Sequence, residues 1–92
     1  MSLSVAEKRR EARHPGSGSV LVRSENPGSQ DIRGKLMDVS ASGFRMAHAN
    51  QALQSGQIVE FSHSLAVGAA RVMWNRIMDQ RVETGFLIVT TR

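Results

Sequence analysis

Beyond residue 18, apolar side chains recur in short runs with a spacing of two, and turn-forming residues close each run. Six runs follow this pattern, at 19–24, 31–39, 44–46, 57–61, 65–74 and 81–89. A spacing of two is typical of β-strands, whose successive side chains point to opposite faces of a sheet. Parallel strands need a crossover of about a dozen residues or more, usually helical. No long helix separates the runs, so the sequence predicts an antiparallel sheet.

The length of the chain limits how such a sheet is arranged. A chain of 92 residues has the size of one small domain and can build a single core. A small sheet with one apolar face buries that face and protects its edges most simply by curling into a closed structure. We therefore predict an all-β protein, a small six-stranded antiparallel β-barrel.

Strict alternation also assigns side chains to the two faces of each strand. In the second run, Ile32 and Leu36 share one face. In the fifth run, Val72 and Trp74 share the face expected to point inward. The polar segment 48–55 between the third and fourth runs predicts one helical turn.

The first 14 residues differ from the rest of the chain. They lack an apolar face and are rich in arginine, while the whole chain has a net charge of +4. The segment 15–18, Pro-Gly-Ser-Gly, is typical of a hinge. We predict a flexible basic N-terminal arm over 1–14 and a barrel over 15–92.

Composition excludes several classes of function. The chain has no cysteine, and its three histidines lie far apart in the sequence, so no metal-ligand spacing occurs. No nucleophile elbow or phosphate-binding glycine loop is present. No apolar run approaches the ~20 residues that cross a bilayer. We expect a non-enzymatic cytoplasmic protein with no cofactor, no metal and no membrane span.

The arm carries one of two candidate binding motifs, formed by Arg9, Arg10 and Arg13. Guanidinium groups pair bidentately with phosphate, bind the O6 and N7 edge of guanine, and stack on bases. By itself, this motif fits a solvated basic arm as well as an anion site.

The second motif is Asp38, Ser40 and Gly43, in the turn between the second and third runs. One interpretation is turn chemistry, with side chains bonded to nearby amides and the glycine in a backbone conformation that other residues avoid. The other is ligand binding, because a carboxylate can accept hydrogen bonds from guanine and a glycine lets a flat ring approach the backbone.

Taken together and in this order, the two motifs give the chain a resemblance to the PilZ domain, the receptor module for bacterial cyclic di-GMP. The resemblance covers nearly the whole chain, including Val72-Met73-Trp74 and Gly85-Phe86. It implies a six-stranded barrel whose arm closes over the dinucleotide. The residues that it implies for ligand binding are Arg9, Arg10, Arg13, Asp38, Ser40, Gly43 and Trp74.

The resemblance also implies a role in signalling. Ligand binding would order the arm and present a new surface to an effector protein, whose identity the residues do not reveal. Two alternatives remain. One is a PilZ-like interaction module that binds no ligand. The other is a small β-barrel nucleic-acid-binding protein, which the sequence pI of about 11.1 favours. Aromatic residues make up only 4% of the chain, too few for an extended base-stacking platform, so we expect nucleic acid not to be a partner.

Overall fold

The computed structural model describes residues 12–24 and 30–92, and within them every regular element is a β-strand. The strands are β1 (His14–Pro15), β2 (Ser19–Ser24), β3 (Ile32–Val39), β4 (Gly43–His48), β5 (Ile58–His63), β6 (Ala66–Met78) and β7 (Arg81–Thr91). All pairings between them are antiparallel.

The strands form one closed sheet. Its order is β1-β3-β2-β5-β6-β7-β4, and a further pairing between β3 and β4 joins the two sides. Six strands thus make a closed barrel, and β1 is an extra short strand on β3. The prediction of a small six-stranded antiparallel barrel is confirmed.

The inward faces of the strands build one apolar core. Phe44 lies at its centre, stacked on Phe86 at 4.7 Å between ring centroids and tilted against Phe61 at 4.8 Å. The predicted inward residues Ile32 and Leu36 are both buried. Burying apolar side chains of this size contributes about 1.5–3 kcal/mol each, so this core stabilises a chain that has no disulfide bonds.

Three register shifts interrupt the strand pairings. One lies between Ala69 and Ala70, where β6 pairs with β7, and the other two are β-bulges that bring Asp38 and Trp74 to the outer surface. The register of β3 on β4 shifts at Met37, between Leu36 and Asp38. The register of β6 on β7 shifts at Met73, between Val72 and Trp74. A bulge adds one residue to one strand, so the side chains beyond it point to the face opposite to the one that strict alternation predicts.

The structure corrects three details of the sequence prediction. Trp74 does not follow Val72 into the core, because the bulge turns it outward, where it is 37% exposed. The segment 49–57 contains no helical turn. Strand β6 continues beyond Trp74 to Met78.

The predicted hinge at 15–18 is bonded to the barrel. Pro15 of β1 pairs with Asp38 of β3. The Gly16 amide donates to the Met37 carbonyl at 2.9 Å, and the Leu36 amide donates to the Gly18 carbonyl at 2.9 Å. In the described part of the chain, no helix is long and apolar enough to span a membrane.

Candidate functional site

The candidate site is centred on Asp38, which lies on the outer surface of β3 just after the first bulge. Its Oδ1 accepts from Arg13 Nη2 at 2.8 Å and from Arg13 Nε at 3.1 Å. Its Oδ2 accepts from Arg45 Nε at 2.9 Å and also from Arg45 Nη2. Both carboxylate oxygens are therefore held by arginines from two different parts of the chain.

This pairing determines the ionisation of Asp38. Hydrogen bonds from Arg45, and secondarily from Arg13, hold the pKa of the Asp38 carboxyl below its ordinary value, although partial burial acts in the opposite direction. The same pairing raises the pKa of Arg45. The carboxylate is 14% exposed, and the Arg13 side chain is 45% exposed. The Arg45 side chain is 34% exposed, so Arg13 is the more accessible of the two arginines that bind Asp38.

The turn after β3 is held by its own polar groups. The Ser40 amide donates to the Gly43 carbonyl at 2.9 Å. The Ser40 hydroxyl lies 3.5 Å from the same oxygen. Asp38 bonds arginine side chains rather than the turn amides, and Gly43 has no positive φ. A Cβ on Gly43 would come within 2.1 Å of the Phe86 carbonyl oxygen, so close strand packing is what requires a glycine there.

The opposite wall of the site is the indole of Trp74. The second bulge aligns Trp74 with Gly85 of β7, and the ring lies directly over this glycine. A Cβ on Gly85 would be 2.3 Å from Trp74 Nε1 and Cε2. The missing side chain at position 85 thus lets the indole lie flat against the barrel.

These groups line one shallow cavity of about 200 Å³. Arg13, Ser40, Gly43 and Trp74 all belong to its wall, and Asp38 holds two of the arginines that line it. The remaining lining residues are Ser42, Phe44, Arg45, Met73, Gly85, Phe86 and Leu87. The cavity therefore combines two guanidinium groups and an exposed aromatic ring, and the Asp38 carboxylate holds both guanidinium groups from behind the wall.

The structure brings together five of the seven residues that the sequence nominated. Arg9 and Arg10 lie outside the described residues. The sequence analysis missed Arg45 and Gly85 as parts of this site. Arg45 precedes Met46 in an alternating strand and looked like an ordinary exposed base. Its pairing with Asp38 depends on the bulge, which the alternation pattern does not reveal.

Other clusters of polar groups lie away from this cavity. His48 Nε2 is 2.6 Å from Thr84 Oγ1, which donates to Asn75 Oδ1 at 2.6 Å. The Asn75 amide in turn donates to the Leu53 carbonyl at 2.9 Å. This chain fastens the segment 49–55 across one end of the barrel. Among the described residues, no group of three or more His, Cys, Asp or Glu side chains could hold a metal ion.

No protein-family model matches the chain, and a search of curated proteins finds no match. The class that the fold and the site define is therefore a small antiparallel β-barrel with an arginine-rich, tryptophan-walled cavity on its outer surface.

Proposed function

We propose that this cavity binds a guanine-containing cyclic dinucleotide and that the chain is a PilZ-like receptor for cyclic di-GMP. The observation that carries the proposal is the ion pair between Arg13 and Asp38, which are distant in sequence, with Arg13 lining the same cavity as the exposed Trp74. Each of the two sequence motifs contributes one partner of this pair.

The chemistry of the cavity matches the ligand. Guanidinium forks pair with phosphate oxygens and with the O6 and N7 edge of guanine. Trp74 offers a flat surface for a base, an interaction worth about 1–3 kcal/mol. The cavity volume of about 200 Å³ is closer to that of one base than to that of a dinucleotide. Most of the ligand would then lie over the outer surface of the barrel.

Binding requires an exchange of partners at Asp38. Both of its oxygens already accept from arginines, so the carboxylate can accept from guanine N1 and N2 only when one arginine leaves. Arg13 is the more exposed of the two, with 45% of its side chain accessible against 34% for Arg45. In the proposed mechanism, Arg13 moves to a phosphate and the guanine edge takes its place on Asp38.

The exchange links binding to the arm. Arg13 immediately precedes β1, so its movement is passed to the residues before it, including Arg9 and Arg10. The phosphates would attract these cations and order the arm over the ligand, as expected when ordering is coupled to binding. The closed arm would then form the surface offered to an effector protein.

Calorimetric titration with cyclic di-GMP tests the proposal, with GTP as the competing ligand. We expect binding by the wild-type chain, and a loss of roughly 1.5–3 kcal/mol in Arg13→Ala, the scale of one charge-assisted hydrogen-bonding group. Asp38→Ala is expected to abolish measurable binding while the chain stays folded.

A matched pair elsewhere on the barrel provides the control. Arg23 and Asp31 form an exposed ion pair at 3.0 Å on β2 and the segment before β3. Arg23→Ala and Asp31→Ala remove the same chemical groups and should leave the affinity unchanged. Wild-type protein that does not bind cyclic di-GMP, or that binds it no better than GTP, would refute the proposal.

A further inference from the structure

Strands β3, β4, β7 and β6 lie side by side, and their outward residues form aligned rows. One row runs Lys35, Ala47, Glu83 and Arg76, each paired in register with the next. The row beside it runs Asp38, Arg45, Gly85 and Trp74. Beyond the first row, Arg33 and Arg81 project from the ends of β3 and β7. We call this surface the basic face.

Arginine and lysine dominate the basic face. Its cations are Arg33, Lys35, Arg45, Arg76 and Arg81, and its carboxylates are Asp38 and Glu83. Both carboxylates are already neutralised, Asp38 by two arginines and Glu83 by Arg81. The Glu83 side chain is only 6% exposed. A partner approaching this face therefore meets positive charge.

Three of these cations lack a close ion pair in the described part of the chain, although Arg33 acts on Asp31 and Arg76 acts on Glu83 through longer-range attraction. Arg33, Lys35 and Arg76 form no ion pair within the described ranges 12–24 and 30–92. Neighbouring strands lie about 4.8 Å apart and residues about 3.4 Å along a strand, so the cations are spread over a face roughly 14 Å wide. Ala47 is small, and Gly85 lets the Trp74 indole lie flat on the sheet, so no long side chain rises from these two positions. Such a surface suits an extended polyanion better than a compact one.

We propose that the basic face binds single-stranded nucleic acid, with the backbone phosphates along the cations and one base on Trp74. Guanidinium groups match phosphate geometry, and stacking on an exposed aromatic ring is the usual complement of such contacts. The low content of aromatic residues, 4% of the chain, excludes only a binding surface on which many bases stack. The basic face requires a single ring, which it has at one corner.

This inference goes beyond the proposed receptor function but shares Trp74 and Arg45 with it. Cyclic di-GMP and a single strand should therefore compete for the protein. The cations Arg33 and Lys35 lie on the part of the face away from the dinucleotide cavity, which their side chains do not line. Substituting Arg33 and Lys35 should therefore affect binding of a single strand without affecting binding of cyclic di-GMP.

The test is fluorescence anisotropy of the full chain with labelled oligo-U and oligo-dT of about 12 nucleotides, within the range of ~4–16 that one small barrel covers. Three phosphate contacts predict a slope of about −2 for log affinity against log salt. The affinity should then fall roughly twentyfold between 50 and 200 mM salt. Comparing the two oligonucleotides separates RNA from DNA.

The decisive variant is Arg33→Gln/Lys35→Gln. It should weaken oligonucleotide binding by roughly 50-fold at 50 mM salt and reduce the slope by about 1.4, with cyclic di-GMP binding unchanged. The matched control is Arg71→Gln/Arg92→Gln, which removes the same net charge from outside the basic face, since Arg71 lies on β6 opposite Leu87 and Arg92 lines a separate cavity. It should have little effect on oligonucleotide binding.

Asp38→Ala distinguishes the two proposals. It should abolish cyclic di-GMP binding and leave oligonucleotide binding intact, because it removes an anion from the basic face. Equal losses in the decisive variant and its control would mean that binding follows net charge alone, and would overturn the inference. Binding to acidic phospholipid vesicles without binding to either oligonucleotide would overturn it as well.

Discussion

At the scale of single residues, Asp38 is the group on which the site depends. It accepts from Arg13 and Arg45 at once, and either arginine could hold the carboxylate if the other left. Breaking a partly buried charge pair outright is costly because it leaves an uncompensated charge. A third donor can therefore enter by exchange, without exposing a bare carboxylate.

Gly85 is the residue that lets Trp74 act as a wall. We predict that Gly85→Ala displaces the indole, because the new Cβ would lie 2.3 Å from its ring atoms. Affinity for cyclic di-GMP should fall by about 1–2 kcal/mol, the scale of one stacked base. Since Trp74 is the only tryptophan in the chain, its fluorescence emission should shift to longer wavelength.

A contrasting substitution shows whether this effect is local. At Gly43, an added Cβ would meet the backbone oxygen of Phe86 at 2.1 Å, and backbone moves less easily than a side chain. Gly43→Ala should therefore lower the free energy of unfolding, by about 2 kcal/mol or more, whereas Gly85→Ala should change it by less than about 1 kcal/mol. An unchanged emission spectrum in Gly85→Ala would contradict the assigned position of the indole.

At the scale of elements, the two bulges position the site. Met37 and Met73 are the extra residues, and the bulges place Asp38 and Trp74 on the outer surface. Bulges are over-represented beside functional sites because they redirect a side chain without ending the strand. Here they bring a carboxylate and an aromatic ring to one surface from strands that are not neighbours in the sheet.

Deletions in β6 test this role. We predict that deleting Met73 leaves Trp74 opposite Gly85 and the barrel folded, because removing the extra residue of a bulge restores regular pairing. Deleting Arg71 from the same strand should instead turn either Ala70 or Val72, both fully buried, out of the core. The melting temperatures of the two deletion variants are compared by thermal unfolding, which is monitored by circular dichroism. Equal destabilisation by the two deletions would argue against the bulge at Met73.

The elements also show what the sequence could predict. Alternation located all six barrel strands because each has one face in the core. It gave the wrong face for Trp74, since an inserted residue such as Met73 has no compositional signature. It could not indicate β1, which has two residues and includes Pro15, a residue that lacks an amide hydrogen and is tolerated only at the edge of a sheet.

The sequence also predicted part of the candidate site, as it had predicted part of the fold. Arg13, Asp38 and Ser40 were nominated because their side chains suit a nucleotide, and Gly43 because a glycine lets a flat ring approach the backbone. The order of the two motifs supported all four. Arg45 was not nominated, because its contribution depends on a contact with Asp38 that exists only after β3 and β4 pair. Long-range pairing of this kind is a property of the fold, and local patterns do not contain it.

At the scale of the whole molecule, two histidines make stability depend on pH. Burial lowers the pKa of both His48 and His63 from their ordinary value of 6.5. The unfolded chain then binds protons that the folded chain does not, so acid favours unfolding. The contribution of the two histidines to the free energy of unfolding is fully present above about pH 6.5. It is lost as the pH falls from there toward their lowered pKa values in the folded chain.

We therefore predict that the free energy of unfolding falls between pH 7 and pH 5, before the carboxylates titrate. Urea denaturation at a series of pH values measures it. His48→Gln should reduce the slope with pH, because it removes one of the two groups. His14→Gln, at an exposed position in β1, is the matched control. A wild-type stability that is constant or rises on acidification over this range would contradict the prediction.

The packing of Trp74 on Gly85 also offers a criterion for sorting other barrels of this shape. Wherever a tryptophan follows such a bulge, the residue facing it across the strand pair decides whether the indole can lie flat. A glycine there marks an open stacking surface, and any larger side chain marks a blocked one. In barrels whose strand pairing is known, the residue opposite the tryptophan would then indicate whether a flat aromatic surface is available.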